Sequence, residues 1–270
     1  MPTYICATCG VQYAQSALPP ERCLVCEDDR QFIGWTGQRW TTLTELRDAH
    51  RNQLDVEAPE LISIATEPKF ALGQRALHVR SSGANVLWDC ITLTDDRSVA
   101  AVQALGGAKA IAISHPHYYS ALAEWSQALG GIPVYLHSAD RQWVMSPDPA
   151  IVFWEGETKQ LAPGLTLIRC GGHFPGATVL HWADGAGGKG ALLTGDTIHV
   201  GEDRKSLSFM YSYPNFIPLN ARAVRRIVDA VEPFPFDAIY GAWFGRNVAS
   251  GAKEALHRSA DRYIAAINSG

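Results

Sequence analysis

No apolar run in these 270 residues approaches the roughly 18–20 that a membrane helix needs, so a membrane partner is not expected. The start, MPTYICATCG, has neither a basic n-region nor an apolar h-region, and a cytoplasmic setting is the expectation. Excess positive charge is also missing. The net charge of -4 sets aside nucleic acid as a routine partner, because phosphate binding needs a basic surface. Internal repeats and low-complexity tracts are absent as well. What is present, 47% hydrophobic and 19% charged residues, fits a soluble globular chain long enough for one large domain and a small appendage.

The six cysteines are distributed in a way that argues against disulfides. Cys6/Cys9 and Cys23/Cys26 form two Cys-x-x-Cys pairs around the loop SALPPERC, while Cys90 and Cys170 stand alone. Two such pairs give four thiolates, a closed tetrahedral shell for a structural metal. A segment this small buries too little apolar surface to fold alone, so the metal would supply the missing stabilisation. A redox dithiol would need only one pair. Residues 1–34 therefore read as a four-cysteine knuckle of zinc-ribbon or rubredoxin-like type, holding zinc or iron. Residues 35–270 read as the main domain.

Within that domain, Thr44 is expected to start a short helix, and Pro59 to end the region. Regular alternation begins near residue 66. Strands joined by a Ser-Ser-Gly-Ala turn (FALGQRALHVRSSGANVLWDC) lead into DRSVAAVQALGG, a helix with a glycine stop. AKAIAIS reads as a buried strand, YSALAEWSQALGG as a second helix capped by Ser120, and IPVYLHS as another strand. This alternation implies an α/β core. The second half is richer in strands, with GAGGKG as a hairpin loop, and it closes with two helices, ARAVRRIVDAVEPF and AKEALHRSADRYIAAI.

Three strand ends carry metal-ligating side chains. His115-Pro116-His117 follows AKAIAIS, His173 sits in GGHFPG, and Asp196 sits in LLTGDT. Histidine holds a metal best at the end of a rigid strand, where a loop lets neutral imidazoles converge. Any one of these motifs alone is weak, but the ordered set is hard to obtain by accident.

ISHPHYYS, GGHFPGAT and LLTGDT, with NVLWD before them, resemble the metallo-β-lactamase superfamily over roughly residues 66–245. The resemblance implies a four-layer αββα sandwich with its metals at the edge between two sheets. It implies that His115, His117 and His173 hold the first metal, that Asp196 reaches toward a second, and that Asp89 supports the site from beneath. The chain departs from the family pattern His-x-His-x-Asp-His. Tyr119 stands in the aspartate slot and Ser120 in the last histidine slot, and Ala242, Trp243 and Phe244 stand where a final histidine is usual. Three ligands of the second metal are missing together, so a single-metal site is expected.

A metal on three histidines with an open fourth position can supply hydroxide at neutral pH. This gives the leading expectation: a hydrolase of a small-molecule ester, thioester, lactone or amide. Zinc is expected at both the knuckle and the three-histidine site, with iron the alternative at either. Asp196 either completes the shell or orients water. Tyr119 either assists at the substrate or fills the space of the missing metal. Tyr118, Trp243 and Phe244 are candidates for an aromatic pocket, and Arg246 is either an anion anchor or a surface ion pair. His199 reads as a loop residue, and Cys90 and Cys170 as inert core. Two rival readings stand beside the hydrolase: an iron oxidoreductase similar to persulfide dioxygenases, and a non-catalytic member with a structural metal and a partner-docking knuckle.

Overall fold

Alternating side chains sort themselves onto opposite faces of two sheets, and that sorting builds the molecule. The computed structural model describes residues 1–269. The first sheet has seven strands in sequence order: β1 (Arg51–Ala58), β2 (Leu61–Glu67), β3 (Arg75–Val79), β4 (Val86–Trp88), β5 (Ala110–Ala112), β6 (Val134–His137) and β7 (Ile151–Trp154). Pairing is antiparallel from β1 to β4 and parallel from β4 to β7. The second sheet has six: β8 (Thr158–Ala162), β9 (Leu165–Arg169), β10 (Thr178–Trp182), β11 (Ala191–Gly195), β12 (Ala238–Gly241) and β13 (Asn247–Val248). Only β11 and β12 pair in parallel there.

Strand period decides which side chains meet. In β11, Ala191 and Leu193 enter the core between the sheets, and Leu192 enters the core under the outer helices. In β4, Val86 and Trp88 face inward while Leu87 faces out. Helices α1 (Leu43–Ala49), α2 (Asp96–Ala104) and α3 (Leu122–Ala128) belong to the first half. Val102 of α2 and Trp125 of α3 pack on the outer face of the first sheet. Helices α4 (Ala221–Val231) and α5 (Ala252–Asn268) cover the second sheet through Val224, Ile227 and Leu256. The result is the expected four-layer αββα sandwich with a small four-cysteine knuckle at the N-terminus.

Several local expectations are corrected. Helix α1 starts after Thr42, not at Thr44, because Thr42 and Glu45 form a reciprocal capping box. The region before residue 66 holds a long hairpin, β1–β2, that its weakly alternating polar sequence does not announce. Ser120 does not cap α3. Its φ is 20°, and Ala121 takes the cap position without a side-chain hydrogen bond. GAGGKG does make the tight connection between β10 and β11, with left-handed backbone at Ala186 and Gly187.

The knuckle has its own small core of four cysteines with Val11 and Val25, against which Tyr13, Ile33, Trp40, Trp143 and Met145 pack. Its strand pairing reaches past residue 34, since Ile5–Cys6 pairs with Trp40–Thr41. Between the sheets, buried Arg75 forms an ion pair with Glu57 (2.6 Å) and donates to the Gly241 carbonyl (3.0 Å). This ties β3 to β12 beside the edge where the candidate ligands gather. No helix among the described residues is long and apolar enough to cross a membrane.

Candidate metal centre

The strand ends bring four side chains to one buried point. The donor atoms of His115, His117, His173 and Asp196 all lie within 4.8 Å of one another. His115 Nε2 is 3.0 Å from Asp196 Oδ1, His117 Nδ1 is 3.4 Å from His173 Nε2, and His173 Nε2 is 4.0 Å from Asp196 Oδ1. Tetrahedral ligands at zinc–nitrogen and zinc–oxygen distances would be about 3.3 Å apart. His115 Nε2 and Asp196 Oδ1 are buried and neither has a hydrogen-bond partner. A buried pair left unsatisfied at this range fits donors aimed at a shared ion rather than at each other. Asp196 thus stands among the prospective ligands, as close to the point of convergence as the imidazoles.

Each ligand is held from behind. His173 Nδ1–H donates to the carbonyls of Tyr211 (2.9 Å) and Met210 (3.1 Å), which leaves the Nε2 lone pair for the centre. His115 Nδ1 shares a 2.9 Å hydrogen bond with Ser114 Oγ. Asp89, buried at the end of β4 with φ 63°, accepts from the Ser114 N–H at 2.7 Å and so fixes the backbone next to His115. The Tyr213 hydroxyl donates to the Asp196 carbonyl at 2.7 Å. Burial, with the neighbouring imidazoles adding to it, pushes His115 well below the usual histidine range. Burial, His173 and Arg30 do the same for His117, so both are neutral and able to ligate. Burial raises the Asp196 carboxyl, and His173 and His199 oppose that shift.

The glycines beside the ligands are dictated by crowding. Gly195 has φ +54°, and a Cβ there would lie 2.8 Å from Ser114 Oγ. Gly195→Ala should therefore cost about 1–3 kcal/mol, readable as a lowered urea midpoint, and should loosen the Asp196 turn. At Gly172, with φ +82°, a Cβ would come within 2.9 Å of Leu219 Cδ1.

Asp140 lies beneath the turn that carries His173. Its Oδ1 accepts from the Gly176 N–H at 2.8 Å, while Oδ2 is buried without a partner. Burial pushes its carboxyl up to about 6. A raised carboxyl contributes stability that is full below the unfolded pKa near 4 and is lost as pH rises through about 6. Asp140→Asn keeps the Gly176 bond and removes the buried charge. The variant should be the more stable protein at about pH 8, by up to about 3 kcal/mol, and the difference should vanish near about pH 4, as urea titrations at the two pH values would show.

Of the remaining candidates, Tyr118 is brought to the centre and Tyr119 is not. The Tyr118 ring meets His115 edge-on (5.4 Å between centroids), and its hydroxyl donates to the Ala242 carbonyl at 3.4 Å. It spans from the first metal position to the strand end where the resemblance places a final histidine. Tyr119 instead lies in the core under α3, facing Val11, Val144 and Met145. Trp243 donates to the Leu72 carbonyl and packs against His199 (5.2 Å between rings), which in turn packs on Tyr213 (5.0 Å). His199, expected in a loop, opens a two-residue strand, His199–Val200. Phe244 is half-buried beside Trp243. Arg246 pairs with exposed Glu202. Cys90 and Cys170 are buried, free, and pushed up by burial. The bracing by Ser114 and Tyr213 and the contact made by Arg30, described below, have no signal in the sequence.

The knuckle is a second prospective centre. Its four sulfurs are buried, with Cys6 Sγ 3.6 Å from Cys26 Sγ and Cys9 Sγ 3.7 Å from Cys23 Sγ. Tetrahedral zinc–thiolate geometry puts sulfurs about 3.8 Å apart, so the set fits a metal without rearrangement.

No family model matches the chain. Among solved structures, the metallo-β-lactamase FIM-1 from Pseudomonas aeruginosa in its mono-zinc form superposes with a TM-score of 0.57 at 13% identity, covering 78% of this chain and 95% of that one. TTHA1623 in a di-iron-bound form superposes with a TM-score of 0.52 at 22% identity, covering 72% and 96%. The molecule thus has the metallo-β-lactamase fold with metal-binding groups at its sheet edge. Over its whole length it is 52% identical to the uncharacterized protein YmaE of Bacillus subtilis (strain 168), covering 98% of that protein, and it belongs to the YmaE family.

Proposed function

We propose that this protein is a metal-dependent hydrolase with one metal in the centre of three histidines and Asp196, acting on an ester, thioester, lactone or amide of a small molecule. The observation that carries the reading is the pair of buried, unpartnered atoms His115 Nε2 and Asp196 Oδ1 at 3.0 Å, with two more imidazole nitrogens converging on them. Zinc at this position supplies Lewis acidity sufficient to deprotonate water near neutral pH. His115, His117 and His173 would hold it, and Asp196 would complete the set or accept a proton through a carboxylate that burial has made more basic. Tyr118 occupies the side on which a second metal would sit. The aromatic surface of His199, Tyr213 and Trp243, with Phe244 beside it, suits an apolar or aromatic portion of the substrate. The cysteines, all free, accord with a reducing cytoplasmic setting.

A panel of ester, thioester, lactone and amide substrates tests this with zinc-loaded protein. Turnover that requires zinc and disappears in His173→Ala is the expected result, and zinc-loaded protein inert toward every class would sink the hydrolase reading. A redox reading has one supporting observation: thiolate and mixed imidazole–carboxylate sets both accept iron. Iron in the core of protein purified without added metal would favour it.

A further inference from the structure

We infer that the four-cysteine knuckle is a lid on the core metal centre, latched by Arg30, so that metal in the knuckle governs exchange at the core. Arg30 follows the second cysteine pair by four residues and reaches across to the turn that carries His173. Its Nε–H donates to the His173 carbonyl at 2.6 Å. Its guanidinium carbon lies 4.5 Å from the ring centroids of both Phe174 and Tyr211. Asp28 holds the same guanidinium from within the knuckle at 2.6 Å. Arg30 therefore positions His173 from the carbonyl side, while Tyr211 and Met210 position its ring.

A second tie lies alongside. Asn215 Nδ2–H donates to the Asp29 carbonyl (2.9 Å) and the Gln31 carbonyl (3.4 Å). Asn215 belongs to the same loop as Tyr213, which braces Asp196. Knuckle residues 28–31 thus touch both the turn carrying His173 and the loop bracing Asp196. All four core ligands are at most 3% exposed, so a molecule reaches the centre only if a neighbouring element moves. The sandwich sheets are packed on both faces, whereas the knuckle's own core is four cysteines and two valines. The element with the least apolar burial opens first, and here that element is held in shape by its metal.

The lid rests on the core metal of the proposed function but not on its reaction, so the test uses no substrate. Cobalt(II) is loaded at both centres, stoichiometry is measured, and excess EDTA is added. Thiolate-to-cobalt charge-transfer absorption reports the knuckle, and the d–d bands of nitrogen- and oxygen-ligated cobalt report the core. Arg30→Ala should lose core cobalt about tenfold faster than the unmutated chain while the thiolate band decays at the unmutated rate. Arg30→Lys should resemble Arg30→Ala, because an ammonium lacks the planar fork that both stacks and donates. Cys26→Ser, which removes the knuckle metal, should accelerate core loss at least as much, and adding Arg30→Ala to it should change nothing further. Core loss in Arg30→Ala at the unmutated rate would overturn the lid, whatever Cys26→Ser does. If cobalt never fills the core, both the lid and the proposed function fail. If the core fills and only the rates are unaffected, the lid alone fails.

Discussion

His173→Ala should leave the protein with its knuckle metal and strip the core of its own. His173 is fully buried, and its Nε2 faces both His117 and Asp196. Removing it leaves the two imidazoles carried by the first sheet and only the Asp196 carboxylate from the second. Changes to groups that merely orient a ligand cost about 10–100-fold in metal affinity, and loss of a ligand should exceed the upper end of that range. Asp196 would then be a buried carboxylate beside two neutral imidazoles, so the folded state should also become more sensitive to pH. Elemental analysis after dialysis reads the first effect. Metal-dependent turnover, where present, should fall to background.

The second large effect is expected from Cys26→Ser. Apart from Ile5, which packs with Leu46 and Leu93 of the main domain, the buried apolar side chains of the knuckle are its four cysteines, Val11 and Val25, so little apolar core takes over when the metal leaves. Structural zinc contributes on the order of 10 kcal/mol to small zinc-binding folds. The segment around residues 1–34 should therefore unfold as a unit well below the main transition, visible by calorimetry as a separate low-temperature step and by protease cleavage confined to that segment. The sandwich, whose core between the sheets and core under α4 and α5 contain no knuckle residue, should melt near its original temperature. Replacing Cys90 or Cys170 by serine should leave the metal content unchanged, since neither belongs to either group of converging ligands.

The features readable from sequence are those with local causes. A Cys-x-x-Cys pair brings two thiols to one side of a turn, and His-x-His at a strand end points two rings the same way. LLTGDT likewise sets Asp196 at the end of a strand. The short apolar runs ALLTG and VLW identify strands that are buried on both faces.

The features that stay hidden depend on distance or on weak local preference. Arg30 meets His173 across 143 positions of chain, and nothing in DDRQF marks the arginine as different from a surface residue. Tyr213 braces Asp196 through a backbone carbonyl, which any residue at 196 would present. The β1–β2 hairpin escapes notice because Gln53, Asp55 and Glu57 give β1 a largely polar face. Tyr118 and Tyr119 are indistinguishable as letters. The short helical turn Pro116–Tyr118 decides that Tyr118 turns to His115 and that Tyr119 turns to the core.

The metal content of the unmutated chain, purified without added metal, tests the account most directly. Two transition-metal ions per chain are predicted, one bound by thiolates and one by nitrogen and oxygen donors, with the second absent from His173→Ala. A single thiolate-bound ion, unchanged by His173→Ala, would contradict the core metal centre. Three ions per chain would contradict the proposed one-metal core.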